Sequence, residues 1–467
     1  MNSDRFLSVA GNRLVDAAGK TVVLRGYNIG GWMNMENFLT GYPSTESRHR
    51  QALRRGLGDE RYALYFDRFM DAFFSDEDAR YMASLGLNHV RIPFNYRHFE
   101  DDERPFELKE AGFLLLDRAI DICKRNGLYA ILDLHAVPGA QNQHWHSDNP
   151  CAWGLFWTHR HFQDRAIHLW EALAERYKDE AAVAGYNIMN EPGEPTGLKV
   201  KPFYDRAVAA VRAIDRRHIL FLDGNRYSTE FWMFEGSDLY PNTVYAAHDY
   251  KLPGFAYGGP YPGVTNGIYV DRAQVEETFL KRTEFMRNTG TPIWIGEFGP
   301  VFPQDQPNHD QRYQLLKDQL DIYNQHGASW SVWAYKDVGG EGLVYAAPDS
   351  PWRTLLKPIA EKKARLGVDT WGSTDAGIRH IMQPIEDTFR KEYPDFNPFP
   401  FGQAGWLATI VRAIVLAEPM LKDFEKLFTG ITDDETVVRL AESFRFGNCV
   451  KRERLAGLLA EAASAPV

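Results

Sequence analysis

Eight short apolar runs recur along the chain, and each is rich in β-branched or aromatic residues. They lie at 22–29, 89–95, 129–136, 183–192, 219–224, 243–250, 292–299 and 329–336. Because they are apolar along their whole length, they are typical of strands buried on both faces. Amphipathic helical patterns lie between most of them, at 111–126, 160–178, 203–217, 272–288 and 310–326. This alternation predicts an α/β protein with a (β/α)8 TIM barrel.

A doubly wound parallel sheet is the alternative fold, but no Gly-x-Gly-x-x-Gly motif follows the first predicted strand. Residues 6–26 have the pattern of a hairpin that seals the barrel floor. The last barrel helix is predicted at 351–366, so residues 1–366 form the predicted catalytic barrel domain. Residues 367–467 show no strong strand signal and form a predicted helical C-terminal extension. Its helices are predicted near 376–392, 404–428, 433–446 and 450–463.

Composition narrows the classes of function. Apolar residues make up 44% of the 467 residues and charged residues 25%, as in ordinary globular proteins. The net charge of −10 disfavours nucleic acid as a partner. Without a run of about 18 apolar residues, no membrane span is expected. Aromatic residues reach 13%, and flat aromatic rings suit stacking on sugars.

Targeting and metal signals are weak. The N-terminus lacks a basic start followed by an apolar stretch, so a cytoplasmic protein is expected. The three cysteines are far apart, which suggests neither zinc nor a disulfide framework. His144 and His146 have a spacing that suits metal ligands, but no third ligand stands at recognisable spacing. No metal and no cofactor are therefore predicted, and the oligomeric state stays open.

Two glutamates stand where apolar strands end: Glu191 in GYNIMNEP and Glu297 in IWIGEFG. The carboxyl ends of barrel strands form one rim, where active sites lie. A pair of carboxylates across a pocket suits the cleavage of a glycosidic bond, because one donates a proton while the other attacks or activates water. Their surroundings must then push the two pKa values apart.

Other polar and aromatic residues at the strand ends fit the same chemistry. Arg91 is suited to hold one glutamate ionised, and Tyr250 to donate a hydrogen bond to that carboxylate. Asn190 does not titrate and is suited to bind a sugar hydroxyl. Trp333 offers a flat face for a sugar ring, although a tryptophan in the barrel core would give the same pattern. Three long connections, at 30–75, 137–158 and 251–270, are expected to build the pocket walls.

The chain resembles glycoside hydrolase family 5, in the clan A superfamily of retaining barrel glycosidases, over about residues 22–366. The motifs that carry the resemblance are LRGYNIGGW, VRIPFN, LDLH, YNIMNEP, AHDY, WIGEFG and SVWAYKD. The resemblance implies that Glu191 is the general acid/base and Glu297 the nucleophile. It implies a carboxyl separation of about 5–5.5 Å. It also implies that the subsite for the reacting sugar is lined by Arg91, His135, Asn190, His248, Tyr250 and Trp333.

Two further segments, GGWMNMENF and LHAVPGAQN, are similar to exo-β-1,3-glucanases of the same family. That similarity implies that Glu36 holds the terminal glucose. The chain departs from the group after PGAQN, where it reads QHWHSD at 143–148. This departure lies at the leaving-group subsite, so it leaves the substrate open.

The sequence therefore predicts a retaining β-glycosidase, acting from the non-reducing end on small β-glucosides or glycoconjugates. Its partner is a carbohydrate or glycoside substrate. Alternatives within the same chemistry are an endo-β-glucanase, a glycolipid or flavonoid glycosidase, and a transglycosidase. From other classes, a non-catalytic sugar-binding barrel and a metal-dependent barrel hydrolase remain as hypotheses.

Overall fold

The computed structural model describes residues 6–236, 238–250, 258–265, 267–303, 309–369, 371 and 373–466. Eight parallel strands close into a barrel, in the order in which they occur along the chain. They are β1 Arg25–Asn28, β2 His89–Asn95, β3 Tyr129–Ala136, β4 Val183–Asn187, β5 Ile219–Asp223, β6 Thr243–His248, β7 Ile293–Phe298 and β8 Ser329–Val332. The predicted (β/α)8 barrel is confirmed, and each strand lies within its predicted run.

Helices surround the barrel and fill several of its connections. The described residues form α1 Asn37–Thr40, α2 Glu46–Leu57, α3 Asp59–Phe73, α4 Asp76–Ser84, α5 Glu110–Arg125, α6 Arg160–Tyr177, α7 Val200–Ile214, α8 Asn225–Ser228, α9 Arg272–Arg282, α10 Glu284–Thr289, α11 Asp310–Gln325, α12 Pro351–Leu366, α13 Arg379–Glu392, α14 Gly402–Ala408, α15 Ala417–Thr429, α16 Asp434–Ala441 and α17 Glu453–Ala463. A π-helical stretch, Thr409–Val415, joins α14 to α15.

Glycine in a left-handed conformation ends the helices that lead into strands. Gly86, Gly127 and Gly327 have φ values of 78°, 75° and 63° and stand a few residues before β2, β3 and β8. Only glycine adopts this conformation without a steric penalty at Cβ. The sharp reversal directs each chain back into the barrel.

A three-stranded antiparallel sheet precedes β1, made of Ser8–Ala10, Arg13–Val15 and Thr21–Val22. Leu14 of this sheet and Leu7, which precedes its first strand, pack in one buried cluster with side chains from inside the barrel, including Phe221 and Trp294. Because these two residues belong to the cluster, the N-terminal segment closes one end of the barrel. The candidate active site lies at the opposite end.

The C-terminal extension shares the main hydrophobic core of the barrel. Phe428 and Phe444 are buried there and lie 5.9 and 6.1 Å from the ring of Trp352 in α12. The backbone oxygen of Phe444 accepts a hydrogen bond of 2.8 Å from the buried Lys336. The extension therefore packs on α2, α3 and α12 as part of one core. The division after residue 366 stays a prediction.

One expectation for the extension is wrong. Its segment Cys449–Lys451 forms a strand that pairs antiparallel with Val344–Ala346, although no strand was expected beyond residue 366. Three residues are too short for an alternating pattern to be visible in the sequence, and the strand forms because an edge is available to it.

One helical stretch of the described residues, Gly402–Thr429, is long and apolar enough to span a membrane by length and composition alone. Of the most apolar 18 residues in this stretch, 39% are buried within the structure. The expectation that the chain has no membrane span stays a prediction.

Candidate active site

Glu191 and Glu297 meet at the carboxyl end of the barrel. Glu297 is in β7, opposite His248 in the parallel register with β6, and Glu191 follows β4. One carboxylate oxygen from each glutamate and one ring nitrogen of His248 all lie within 4.8 Å of one another. Oxygens this close suit the short carboxyl separation of retaining glycosidases, ~5–5.5 Å, rather than the ~6.5–9.5 Å of inverting ones.

Glu297 is held by a guanidinium and a phenol. Arg91 Nη1 donates to Glu297 Oε1 at 2.7 Å, and the Tyr250 hydroxyl donates to Oε2 at 3.1 Å. Arg91 is itself fully buried, and its other N–H groups donate to the side-chain amide oxygens of Asn28, Asn187 and Asn190. Its Nη2 also forms an ion pair with Asp133 Oδ2 at 3.1 Å.

Glu191 stands on a constrained turn. Its φ is 45°, in the left-handed region that a non-glycine residue rarely occupies. Two hydrogen bonds fix this backbone: its N–H donates to Asp223 Oδ2 at 2.9 Å, and its carbonyl accepts from Asn142 Nδ2 at 3.0 Å. Strained backbone of this kind persists where surrounding bonds enforce it, and it is concentrated at functional sites.

Two histidines flank the Glu191 carboxyl. His248 Nδ1 lies 2.7 Å from Oε1, and His146 Nε2 lies 3.3 Å from Oε2. Burial lowers the pKa of both imidazoles well below the ordinary value, so both rings are neutral near pH 7. His146 Nε2 accepts a hydrogen bond from Asn142 Nδ2 at 2.7 Å. Neither ring therefore supplies a positive charge to stabilise an ionised Glu191.

The two carboxyls consequently differ in how easily they ionise. Burial raises the pKa of Glu191 well above its ordinary value, and the nearby Glu297 and Asp223 carboxylates raise it further. Burial also raises the pKa of Glu297, but the Arg91 guanidinium opposes that rise. Because two neighbouring carboxylates repel each other, the pair ionises in sequence, and Glu297 loses its proton first. The site can hold one acid and one carboxylate together.

These groups line a cavity of about 810 Å³ that opens at the barrel rim. The Trp333 ring, only 3% exposed, stacks on His135 with ring centres 5.1 Å apart. A Cβ on Gly30 would lie 2.5 Å from a carbon of that ring, so only glycine fits there. Trp333 is thus fixed with its ring on the cavity wall.

Glu36 is a third buried carboxyl on the cavity wall. Trp145 Nε1 donates to Glu36 Oε2 at 2.8 Å. Burial and the neighbouring Glu297 raise the pKa of Glu36 to about 8. A carboxyl oriented in this way can accept or donate a hydrogen bond to a sugar hydroxyl.

The structure brings all nine predicted site residues together, but at two depths. The cavity is lined by Glu36, His135, Glu191, His248, Tyr250, Glu297 and Trp333. Arg91 and Asn190 are completely buried behind them, with Arg91 Nη2 donating to Asn190 Oδ1 at 2.8 Å. Their contact with a sugar stays a prediction.

Sequence reasoning missed several residues that shape the cavity. They are Trp145, His146, Tyr227, Trp371 and Phe401. The first two lie in the long connection after β3, where the unusual QHWHSD segment was the available signal. Trp371 and Phe401 belong to the extension, and nothing in the local pattern marks them as part of a site.

The same cluster bears on the prediction that no metal is bound. The oxygens and nitrogen of Glu191, Glu297 and His248 approach one another as closely as three metal ligands would. The hydrogen bonds of Glu297 to Arg91 and Tyr250, and of Glu191 to His248, suit a carboxylate pair equally well. The absence of a metal stays a prediction, which unchanged activity after chelation would support.

A parallel barrel with two buried carboxyls across a pocket at its carboxyl end defines the class of barrel glycoside hydrolases. Residues 68–339, more than half of the chain, match the model described as Cellulase (glycosyl hydrolase family 5). The chain belongs to glycoside hydrolase family 5, and its substrate is a carbohydrate or glycoside.

Two relatives and one solved structure illustrate the similarity. The chain is 42% identical to a "Beta-xylosidase" of Phanerodontia chrysosporium over 98% of both chains. It is 31% identical to a "Probable glucan 1,3-beta-glucosidase A" of Neosartorya fischeri, covering 68% of this chain and 84% of the relative. A structure of Cel5A from Thermotoga maritima with cellobiose shares the fold, with a TM-score of 0.50, 19% identity and coverage of 69% and 92%.

Proposed function

We propose that this glycosidase removes one terminal β-xylosyl or β-glucosyl unit by double displacement, with Glu297 as nucleophile and Glu191 as acid/base. The observation that carries the proposal is the asymmetry of the carboxyl pair. The two groups are close, yet only Glu297 accepts a hydrogen bond from a guanidinium. Glu297 is therefore the group that is ionised when Glu191 is protonated.

In the first step, Glu297 attacks the anomeric carbon while Glu191 gives its proton to the leaving oxygen. The bond to the leaving group breaks, and an ester bond forms between the sugar and Glu297. Glu191 is left ionised. Its negative charge no longer faces a second carboxylate, because Glu297 is now an ester.

In the second step, Glu191 takes a proton from water, and the resulting oxygen attacks the anomeric carbon. The ester bond breaks, Glu297 is again a carboxylate, and Glu191 is again an acid. Two inversions restore the original β configuration. His248 Nδ1, bound at 2.7 Å, orients Glu191 in both of its protonation states.

The preference for a terminal unit is supported by buried side chains that line the cavity with the carboxyl pair. Trp333 and Glu36 are each 3% exposed, and Trp145 donates a hydrogen bond to Glu36. A chain that continued beyond the reacting sugar in their direction would meet these buried side chains. The xylosyl or glucosyl unit is favoured by the full-length similarity to a "Beta-xylosidase" and the partial similarity to glucan 1,3-beta-glucosidases.

The substrate prediction is tested with aryl β-xyloside and aryl β-glucoside, using the corresponding α-anomers as controls. We expect turnover of both β-glycosides, a higher kcat/KM for the xyloside, and no turnover of the α-anomers. With reduced xylo- and gluco-oligosaccharides, only single sugars should be released at early times. Release of internal oligosaccharides would contradict terminal action, and inactivity on both β-glycosides would contradict the proposed sugars.

Replacing Tyr250 by Phe should shift the acid limb of the kcat/KM profile to higher pH. The phenol donates to ionised Glu297, so its loss raises the pKa of that carboxyl. A group with a raised pKa remains protonated, and hence unreactive, up to a higher pH. The shift is expected to be about one pH unit, the usual size for one hydrogen bond.

The alkaline limb provides the internal control for Tyr250→Phe, because Glu191 does not accept a hydrogen bond from this phenol. The His168→Gln variant, at a partly exposed position of α6 away from the cavity lining, should leave both limbs unchanged. An acid limb that stays in place in the Tyr250 variant would show that the phenol does not stabilise the ionised nucleophile.

A further inference from the structure

The mouth of the cavity is built in part by the extension. Phe401, Gly405, Ala408 and Thr409 line it, although they follow the last barrel helix by at least 35 residues. The Phe401 segment is fastened to the barrel by Arg226, whose Nη2 donates to the Pro400 carbonyl at 2.9 Å. The barrel alone therefore does not complete this pocket.

Phe401 lies over two aromatic side chains of the barrel connections. Its ring centre is 5.7 Å from that of His144, with the planes 26° apart, and 5.3 Å from that of Tyr227. It is 47% exposed, whereas Tyr227 is 8% exposed. The outer face of this aromatic group is consequently the Phe401 ring, at the opening of the cavity.

This aromatic group adjoins the acid/base rather than the nucleophile. Tyr227 lies 5.9 Å from the ring of His146, and His146 Nε2 is 3.3 Å from Glu191 Oε2. Glu297 is held instead by Arg91 and Tyr250. With Glu191 protonating the leaving oxygen, the leaving group must extend toward Phe401.

Polar side chains around Phe401 already have partners: Arg226 donates to Glu230 and to the Pro400 carbonyl, and the Thr409 hydroxyl donates to the Gly405 carbonyl. The Tyr227 hydroxyl already donates to Gln143 Oε1 at 3.1 Å. Burial lowers the pKa of His144 to about 4, so this ring carries no charge near pH 7. Gly405 and Ala408 contribute no polar side-chain atom. A second sugar would gain few hydrogen bonds here, while a flat apolar ring would gain stacking area.

We propose that Phe401, with His144 and Tyr227, forms a leaving-group subsite for a flat, apolar aglycone such as an aryl or fused-ring alcohol. This inference rests on the proposed function. The extension then sets leaving-group specificity, while the barrel sets specificity for the sugar.

The test compares three substrates with the same sugar: a β-glycosyl fluoride, a 2-naphthyl β-glycoside and a β-linked disaccharide. The fluoride leaving group is too small to reach Phe401. In Phe401→Ala, kcat/KM for the naphthyl glycoside should fall about tenfold, as expected for loss of one stacked ring. The values for the fluoride should be unchanged, and those for the disaccharide should fall less than about threefold. Phe401→Leu should recover part of the naphthyl activity.

Phe396→Ala is the matched control, because Phe396 is 41% exposed in the same segment and packs on Trp406 at 5.4 Å rather than on the cavity. It should leave all three substrates unaffected. An unchanged naphthyl value in Phe401→Ala, or an equal loss with the disaccharide, would overturn the apolar subsite. Failure of the unaltered enzyme to cleave the fluoride would instead overturn the proposed function.

Discussion

Replacing Glu297 by Gly should reduce turnover of an aryl β-glycoside by a factor on the order of 10⁵ or more, because no ester intermediate can form. The structure also predicts that a small anion can replace the lost carboxylate and give a product of defined configuration. The shortened side chain leaves room for a small anion beside Arg91 Nη1, which is bonded to Glu297 at 2.7 Å. Azide should enter there, attack the anomeric carbon from the side opposite the leaving group, and give the α-glycosyl azide.

Glu277→Gln is the control for that variant, since Glu277 lines the same cavity on α9 but accepts a hydrogen bond from Gln274 and none from Arg91. It should retain activity close to the unaltered value. If Glu297→Gly kept substantial activity without azide, or if azide gave the β-glycosyl azide, Glu297 would not be the nucleophile. Product configuration is read by NMR of the glycosyl azide.

Replacing Glu191 by Ala should reduce kcat/KM by about 10²–10⁴ for glycosides with poorly acidic leaving groups, the usual contribution of general acid catalysis. Dinitrophenolate departs without needing a proton, so kcat/KM for a dinitrophenyl glycoside should fall much less. The intermediate on Glu297 should then accumulate, because no base remains to activate water. Azide should release it as the β-glycosyl azide, opposite in configuration to the product of Glu297→Gly.

The alkaline limb of the kcat/KM pH profile provides a second test of Glu191 as the acid/base. Activity requires its protonated form, so the alkaline limb should follow the raised pKa of this carboxyl and disappear in Glu191→Ala. Glu230→Ala, on the cavity wall, should keep the limb. An equal loss for all leaving groups, or an unchanged alkaline limb, would exclude Glu191 as the acid/base.

The sequence could predict the barrel and its carboxyl pair because both leave local signals. Strands buried on both faces read as unbroken apolar runs, and a polar residue such as Glu191 or Glu297 stands out at their ends. The roles predicted for Glu191 and Glu297 also depended on family resemblance, because the positions of two glutamates in the sequence do not show which is the acid and which the nucleophile. Arg91 bonded to Glu297 is a contact between β2 and β7 that only the closed barrel produces.

The remaining parts of the site depend on contacts without a sequence signature. His146 reaches Glu191 from an irregular connection, and nothing in its spacing to His144 indicates a contact with a carboxyl. Phe401 lies 210 residues after Glu191 in the sequence and reaches the cavity only because the extension packs on the barrel. The strand Cys449–Lys451 was missed for the same reason, because its partner is provided by the tertiary fold.

The side chain of Arg25 in β1 binds the last residues of the described chain. Its Nη1 donates hydrogen bonds of 2.8 Å to the carbonyl oxygens of both Ala463 and Ala465. During synthesis on the ribosome, β1 emerges more than 400 residues before these acceptors. An early barrel strand thus acquires its final partners only after the extension has been made. We therefore expect stop codons or frameshifts late in the gene to impair folding of the whole enzyme.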